Sequence, residues 1–145
     1  MTQRRALILA ALATVAGMLL FAGGVLWFLF GVGDDLCANS LLSEYPSPDG
    51  GRKLVVFQRD CGATTGFSTQ VSLLDANDAL PNAGGNVFSA DTNHGEAESG
   101  AGGGPRISVR WTSTDSVTIE HSSKVRMFTQ HERFDGVTIH YAPSN

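Results

Sequence analysis

Residues 6–32 form a run of 27 with no charged side chain, and 22 of them are apolar. A helix needs about 20 such residues to cross about 30 Å of hydrocarbon at about 1.5 Å per residue. Lipid supplies no hydrogen-bond partners for a bare backbone, so such a run must be helical there, despite Gly17, Gly23, Gly24 and Gly31. Arg4 and Arg5 precede the run, and Asp34 and Asp35 follow it. Basic residues before a first span predict that residues 1–5 stay cytoplasmic and the rest is exported. Trp27, Phe28 and Phe30 cluster at the far end, where an interfacial aromatic belt belongs.

A cleaved signal peptide is the competing reading. Its apolar region normally spans about 7–15 residues before a small-x-small site. Thr14-Val15-Ala16 fits that pattern loosely, yet Met18-Leu19-Leu20-Phe21 extends the run past it, which favours an uncleaved anchor. Lipid attachment at Cys37 is disfavoured because charged Asp34 and Asp35 stand where such a signal needs small and apolar residues. Ala13 and Gly17 form a small-xxx-small pair, common by chance in Ala/Gly-rich spans, so a monomeric anchor is the simpler expectation.

Beyond the run, 38 of 113 residues are apolar, and 14 acidic side chains face eight basic ones, a net charge of −6. That balance excludes a basic nucleic-acid binder and disfavours anionic lipid heads as ligands. One span excludes a multi-span transporter, and the run itself excludes an ordinary cytosolic enzyme. One small acidic domain remains.

Its two cysteines, Cys37 and Cys61, would sit in an oxidising compartment, where a lone pair forms a disulfide. The loop closed would hold about 25 residues, stabilising the fold by roughly 3.5 kcal/mol on a chain-entropy model. The alternative makes Cys61 a nucleophile, served by one of four histidines, in a hydrolase or transferase. The availability of Cys37 as a partner favours the disulfide.

Residues 33–46 read as a juxtamembrane linker and residues 47–142 as the β domain. Pro48-Asp49-Gly50 is a strong turn signal opening it. Leu54, Val55, Val56 and Phe57 are apolar on both faces of a strand and predict a central position. Phe67, Thr69, Val71 and Leu73 alternate with Ser68, Gln70 and Ser72, predicting one buried and one wet face. Residues 86–90 form a shorter run. Further alternation centres on Val109, Val117, Val125 and Val137, with hairpin chemistry at Ser113-Thr114-Asp115, Ser122-Ser123 and Asp135-Gly136. The expected fold is therefore mainly β: a transmembrane helix followed by an antiparallel meander of about seven strands. Residues 74–105 make a long connection, and its Gly-rich part, 91–105, reads as a flexible solvated loop.

Candidate chemistry is sparse. Asp91, His94, Glu96 and Glu98 lie close in sequence but match neither a calcium-loop nor a zinc spacing, and no metal or other cofactor is expected. Glu120 and His140 share outward parity and could meet across a sheet as a solvated pair. Gly102-Gly103-Gly104 lacks the Lys-Ser/Thr of a phosphate loop, and no nucleophile elbow is present. The most suggestive segment is the turn after Cys61. Gly62 and Gly66 permit backbone angles closed to other residues, and Thr64 and Thr65 would present hydroxyl groups, making it a candidate recognition turn. The plainer alternative is a simple chain reversal.

Two phrases resemble known families. Ser47-Pro48-Asp49-Gly50 followed by Leu54-Val55-Val56-Phe57 resembles the strand opening of bacterial β-propeller repeats of the TolB type. A single occurrence cannot build a propeller and implies only a turn leading into a strand. Residues 59–71, Arg59-Asp60-Cys61-Gly62-Ala63-Thr64-Thr65-Gly66-Phe67-Ser68-Thr69-Gln70-Val71, resemble a phrase in small bacterial proteins, many of them membrane-anchored or exported. Asn86-Val87-Phe88 and Val109-Arg110-Trp111 fit the same pattern. The resemblance implies a bacterial envelope setting and brings no activity. The expectation is a non-enzymatic binding or structural module, with an unidentified envelope protein or ligand as partner.

Overall fold

A computed structural model describes residues 2–31, 37–62 and 66–145. They form two separate units, one up to residue 36 and one from Cys37 onward. The first unit is helix α1 (Thr2–Gly31), whose apolar side chains occupy every side. Its stretch Gln3–Leu29 has a mean hydropathy of 2.3 and none of it is buried by protein, so it is long and apolar enough to cross a membrane. The same length and composition fit a membrane anchor or a signal sequence. Thr14 satisfies its hydroxyl by donating to the Ala10 carbonyl at 2.9 Å, so this polar residue adds no unpaired group to the helix.

The second unit is a mostly antiparallel β domain, as the alternation predicts. Its strands are β1 (Ala38–Pro46), β2 (Arg52–Asp60), β3 (Ser68–Asp75), β4 (Phe88–Asp91), β5 (Ile107–Ser113), β6 (Ser116–Ser122), β7 (Arg126–Gln130), β8 (Arg133–Phe134) and β9 (Val137–Ser144). They form two sheets, a five-stranded one ordered β1-β2-β3-β4-β7 and a four-stranded one ordered β5-β6-β9-β8. The meander holds for β1 to β4 and for β5–β6. It breaks where β7 crosses to the edge of the first sheet and β9 pairs parallel with β6. Alternation states which face a residue takes but not which strand lies beside it, so the crossover was invisible in sequence.

Residues 33–46 are not a linker throughout: 38–46 form β1, paired with β2 from Ala38↔Asp60 to Pro46↔Lys53. The irregular spacing of Leu41 and Leu42 hid the strand. A bulge between Leu41 and Ser43 resets the parity, so Leu42 packs on the core while Leu41 is exposed. The turn between β1 and β2 forms as expected, with Ser47 donating to Asp49 Oδ1 at 2.6 Å and Gly50 at φ +72°.

The core lies between the sheets. Leu54, Val56, Val71, Leu73, Phe88 and Ala90 from the first meet Val109, Val117, Ile119, Val137 and Ile139 from the second. Trp111 ties the layers by donating Nε1–H to the Tyr45 carbonyl at 2.8 Å. His121 joins this interior, stacked at 5.7 Å on Phe88.

Of the face predicted to be wet, Gln70 and Ser72 are covered and Ser68 is half-buried. On the outer face of the first sheet Val55 and Phe57 are fully buried, and Ser72 and Gln70 nearly so. The cover is the connection 76–87. Asn39 donates to the carbonyls of Pro81 and Ala83 at 2.8 and 2.7 Å, and Asn82 donates to the Cys37 carbonyl at 2.9 Å. Gly85 N–H donates to Gln70 Oε1 at 2.6 Å. A Cβ at Gly85 would fall 2.6 Å from the Phe88 carbonyl oxygen, so only glycine allows this approach.

The 91–105 segment is solvent-exposed at residues 94–96, 98–99 and 101–103, as expected of a solvated loop, but it is anchored between these stretches. Ala97 is buried, Thr69 donates to the Pro105 carbonyl at 2.8 Å, and a Cβ at Gly104 would lie 2.6 Å from Thr69 N. A glycine-rich composition reads as flexible, yet here the missing side chains let the backbone lie against β3.

Tyr141 closes the far side, donating to the His131 carbonyl at 2.9 Å and reaching the Val87 carbonyl at 3.3 Å. Burial pushes its phenol up to about 12, against the lowering effect of the His131 bond. The folded state therefore holds this proton more tightly than the unfolded chain, whose tyrosine titrates near 10. The contribution is fully present below about pH 10 and is lost as pH rises towards 12. Thermal melts between pH 9 and 12 should show wild type losing stability faster than Tyr141→Phe; parallel curves would remove Tyr141 from the account.

Candidate functional site: the open end of the five-stranded sheet

The antiparallel register Ala38↔Asp60 sets Cys37 opposite Cys61, and the two form a disulfide with a Cα–Cα distance of 4.0 Å. The bond closes the β1–β2 ladder at the end away from its turn. Both cysteines of the sequence are used by it. Gly62 follows at φ +97°, a backbone angle that favours glycine, and its N–H donates to Asp60 Oδ1 at 2.9 Å. Thr64 and Thr65, the hydroxyl-bearing part of the expected recognition turn, lie outside the described residues. Gly66 is described and borders a hollow on the outer face of the sheet.

That hollow, about 430 Å³, lies at the end of the sheet beside the cover formed by residues 76–87. The ladder registers place two cross-strand rows on this outer face. One runs Arg59, Ser68, Asp91, Arg126 across β2, β3, β4 and β7, and the next runs Phe57, Gln70, Ser89, Thr129. Arg59 is nearly buried and donates to Asn39 Oδ1 at 2.9 Å and to Asn82 Oδ1 at 3.4 Å. Gln70 donates to Ser68 Oγ at 2.8 Å.

Arg126 is gripped from several sides. Its Nε donates to Asp91 Oδ1 at 3.2 Å and its Nη2 to Asp91 Oδ2, a two-pronged pairing. Nη1 lies 3.4 Å from His94 Nε2, and the guanidinium sits over the Phe128 ring, 5.2 Å from its centre. Burial raises the Asp91 carboxyl's pKa, but the Arg126 bond, the Asn93 N–H and the Arg126 charge outweigh it and hold it below the usual range. Asp91 is therefore a carboxylate wherever the domain is near neutral pH.

Phe128 owes its position to a bulge. Ser89 pairs with Thr129 and Ala90 with Met127, leaving Phe128 as the extra residue on β7. A bulge redirects a side chain. Phe128 is 58% exposed and borders the hollow. A second hollow of about 400 Å³ adjoins the first, sharing Gly66, Asp91 and Arg126, and is bordered by Phe67, also exposed. Ser89 is buried apart from 7% of its surface, and its hydroxyl, which bonds no described side chain or backbone group, is not among the fully buried polar atoms. It borders the first hollow.

Other sequence candidates do not converge. Glu98 pairs with Arg106 at 3.4 Å, Glu96 accepts from Asn93 at 3.2 Å, and Asp91 is held by Arg126. Glu120 contacts Arg110 at 3.7 Å and Ser108 at 3.0 Å, while His140 pairs across β6 with Thr118. Reading the sequence missed Ser89, Arg126 and Phe128, because their juxtaposition depends on β7 crossing over. No family model, curated protein or solved structure matches this chain.

Substituting Cys37→Ser or Cys61→Ser removes a constraint worth about 3.5 kcal/mol on the chain-entropy model. For a domain of this size the melting temperature should fall by about 15 °C. Reduction of the wild type should give the same fall in calorimetry; an unchanged midpoint would show the bond adds no stability.

Proposed function

We propose that the chain is a single-pass, membrane-anchored bacterial envelope protein whose β domain acts outside the cytoplasm as a non-enzymatic binding module. The carrying observation is the Asp91–Arg126–Phe128 arrangement, fixed before any ligand arrives and bordering open hollows. A ligand meeting it need not order these side chains, and that ordering is a main cost of binding. Export is supported by Arg4 and Arg5 before the apolar helix and by the disulfide, which persists in oxidising compartments. The rival, a Cys61-dependent hydrolase or transferase, needs a free thiolate, and Cys61 Sγ is bonded to Cys37.

Two readouts on the full chain in native membranes test the proposal. A reporter active only outside the cytoplasm, fused after Asn145, should be active. A photo-reactive residue in place of Phe128 should give adducts on illumination, whereas one in place of Arg110, on the other sheet, should not. Cytoplasmic reporter activity would overturn the topology. Adducts at neither position, or equally at both, would overturn the binding surface.

A further inference from the structure

We propose that the ligand of this surface is an uncharged saccharide chain, seated over Arg126 between the Phe128 and Phe67 rings; the inference rests on the binding-module reading. The charges at the surface favour a neutral ligand. Arg126 is neutralised by Asp91, and the Asp91 carboxylate is committed in turn to Arg126 and the Asn93 N–H. Arg59, the other charge lining the hollow, is nearly buried and donates to Asn39 and Asn82, so the exposed part of the centre, the Arg126–Asp91 pair, presents polar atoms with no net charge. A phosphate or carboxylate ligand would have to break the Asp91 pairing, and a cationic one would meet the guanidinium.

The mixture of aromatic and polar surfaces suits a sugar. Two exposed aromatic rings flank the polar centre, and each is held. Phe128 is held by the guanidinium, and Phe67 by Gly103, where an added Cβ would fall 2.7 Å from its ring. An aromatic face carries negative potential and attracts the weakly positive C–H bonds on the flat face of a pyranose. The ring edge of the same sugar carries hydroxyl groups that both donate and accept. Ser89 is nine-tenths buried as a residue, but its hydroxyl has no partner among described groups and is not itself sealed from solvent, so it is an available donor and acceptor at this surface. Hollows of about 430 and 400 Å³ are each in the size range of small-ligand sites.

A peptide strand added to β7 is the macromolecular rival, since β7 ends the sheet order. The bulge at Phe128 counts against it, because bulges blunt an edge for further pairing.

Protein-observed NMR titration of the full chain in detergent micelles tests the inference, with cellotetraose and chitotetraose as flat β-linked probes. Inorganic phosphate and an alternating Val/Thr hexapeptide serve as the contrasting probes. At least one tetrasaccharide should saturate with Kd near or below about 1 mM. Phe128→Ala and Ser89→Ala should each weaken that binding, Phe128→Ala by about tenfold, with melting temperatures kept close to wild type. Phosphate and hexapeptide should not saturate. Failure of both tetrasaccharides, or saccharide binding unchanged in both variants, overturns the inference. If phosphate or hexapeptide saturates instead, the ligand class is wrong. Photo-adducts at position 128 without saccharide binding would leave the binding surface standing and remove only the saccharide; absence of both would remove the two together.

Discussion

Strands β2 and β3 must be covered on both faces, and the rest of the domain follows from how that is done. Leu54 and Val56 point to one side and Val55 and Phe57 to the other, and all four are buried. The inner side is covered by the four-stranded sheet through apolar contact. The outer side has more polar residues, and its cover is held by side-chain amides and backbone groups: Asn39, Asn82, Gln70 and Asn86 all bond across it. Buried polar groups are tolerable when paired, and among the described residues no fully buried side-chain nitrogen or oxygen lacks a partner.

The cover leaves open the end of the face near Cys61, and that choice creates the site. There the cross-strand row ends in charged and hydroxyl groups instead of Phe57 and Val55. Arg126 pairs with Asp91 and sits over the Phe128 ring that the bulge turns alongside it. The disulfide closes the adjoining end of the β1–β2 ladder, where fraying would otherwise begin. The fold thus places its strongest local constraint next to an open polar surface.

Much of this was legible in local sequence. Apolar residues on both faces marked β2 as central, Pro48-Asp49-Gly50 marked the first turn, and Asp135-Gly136 marked the β8–β9 hairpin, where both residues take positive φ. The disulfide followed from two cysteines beyond an apolar helix. Strand β1 was lost because a bulge broke its period at Leu42. The Ser68-Gln70-Ser72 face read as wet because its cover lies at a distance in sequence and binds through amides, which have no hydrophobic signature. Most of the candidate site was illegible for a related reason. Asp91 and Arg126 are 35 residues apart and meet only because β7 leaves β6 for the other sheet.

Residues 76–87 and the disulfide-linked β1–β2 ladder hold the outer face of the five-stranded sheet closed. Hydrogen exchange of the full chain in micelles, with and without reductant, tests this closure most directly. With the disulfide intact, the amides of Gly85 and Val87 should exchange as slowly as those of β3, since they bond Gln70 Oε1 and the Val71 carbonyl. Reduction should speed exchange in β1, β2 and 76–87 while β6 and β9 stay protected. Fast exchange at Gly85 and Val87 in the oxidised protein, or reduction that speeds both sheets equally, would contradict the account.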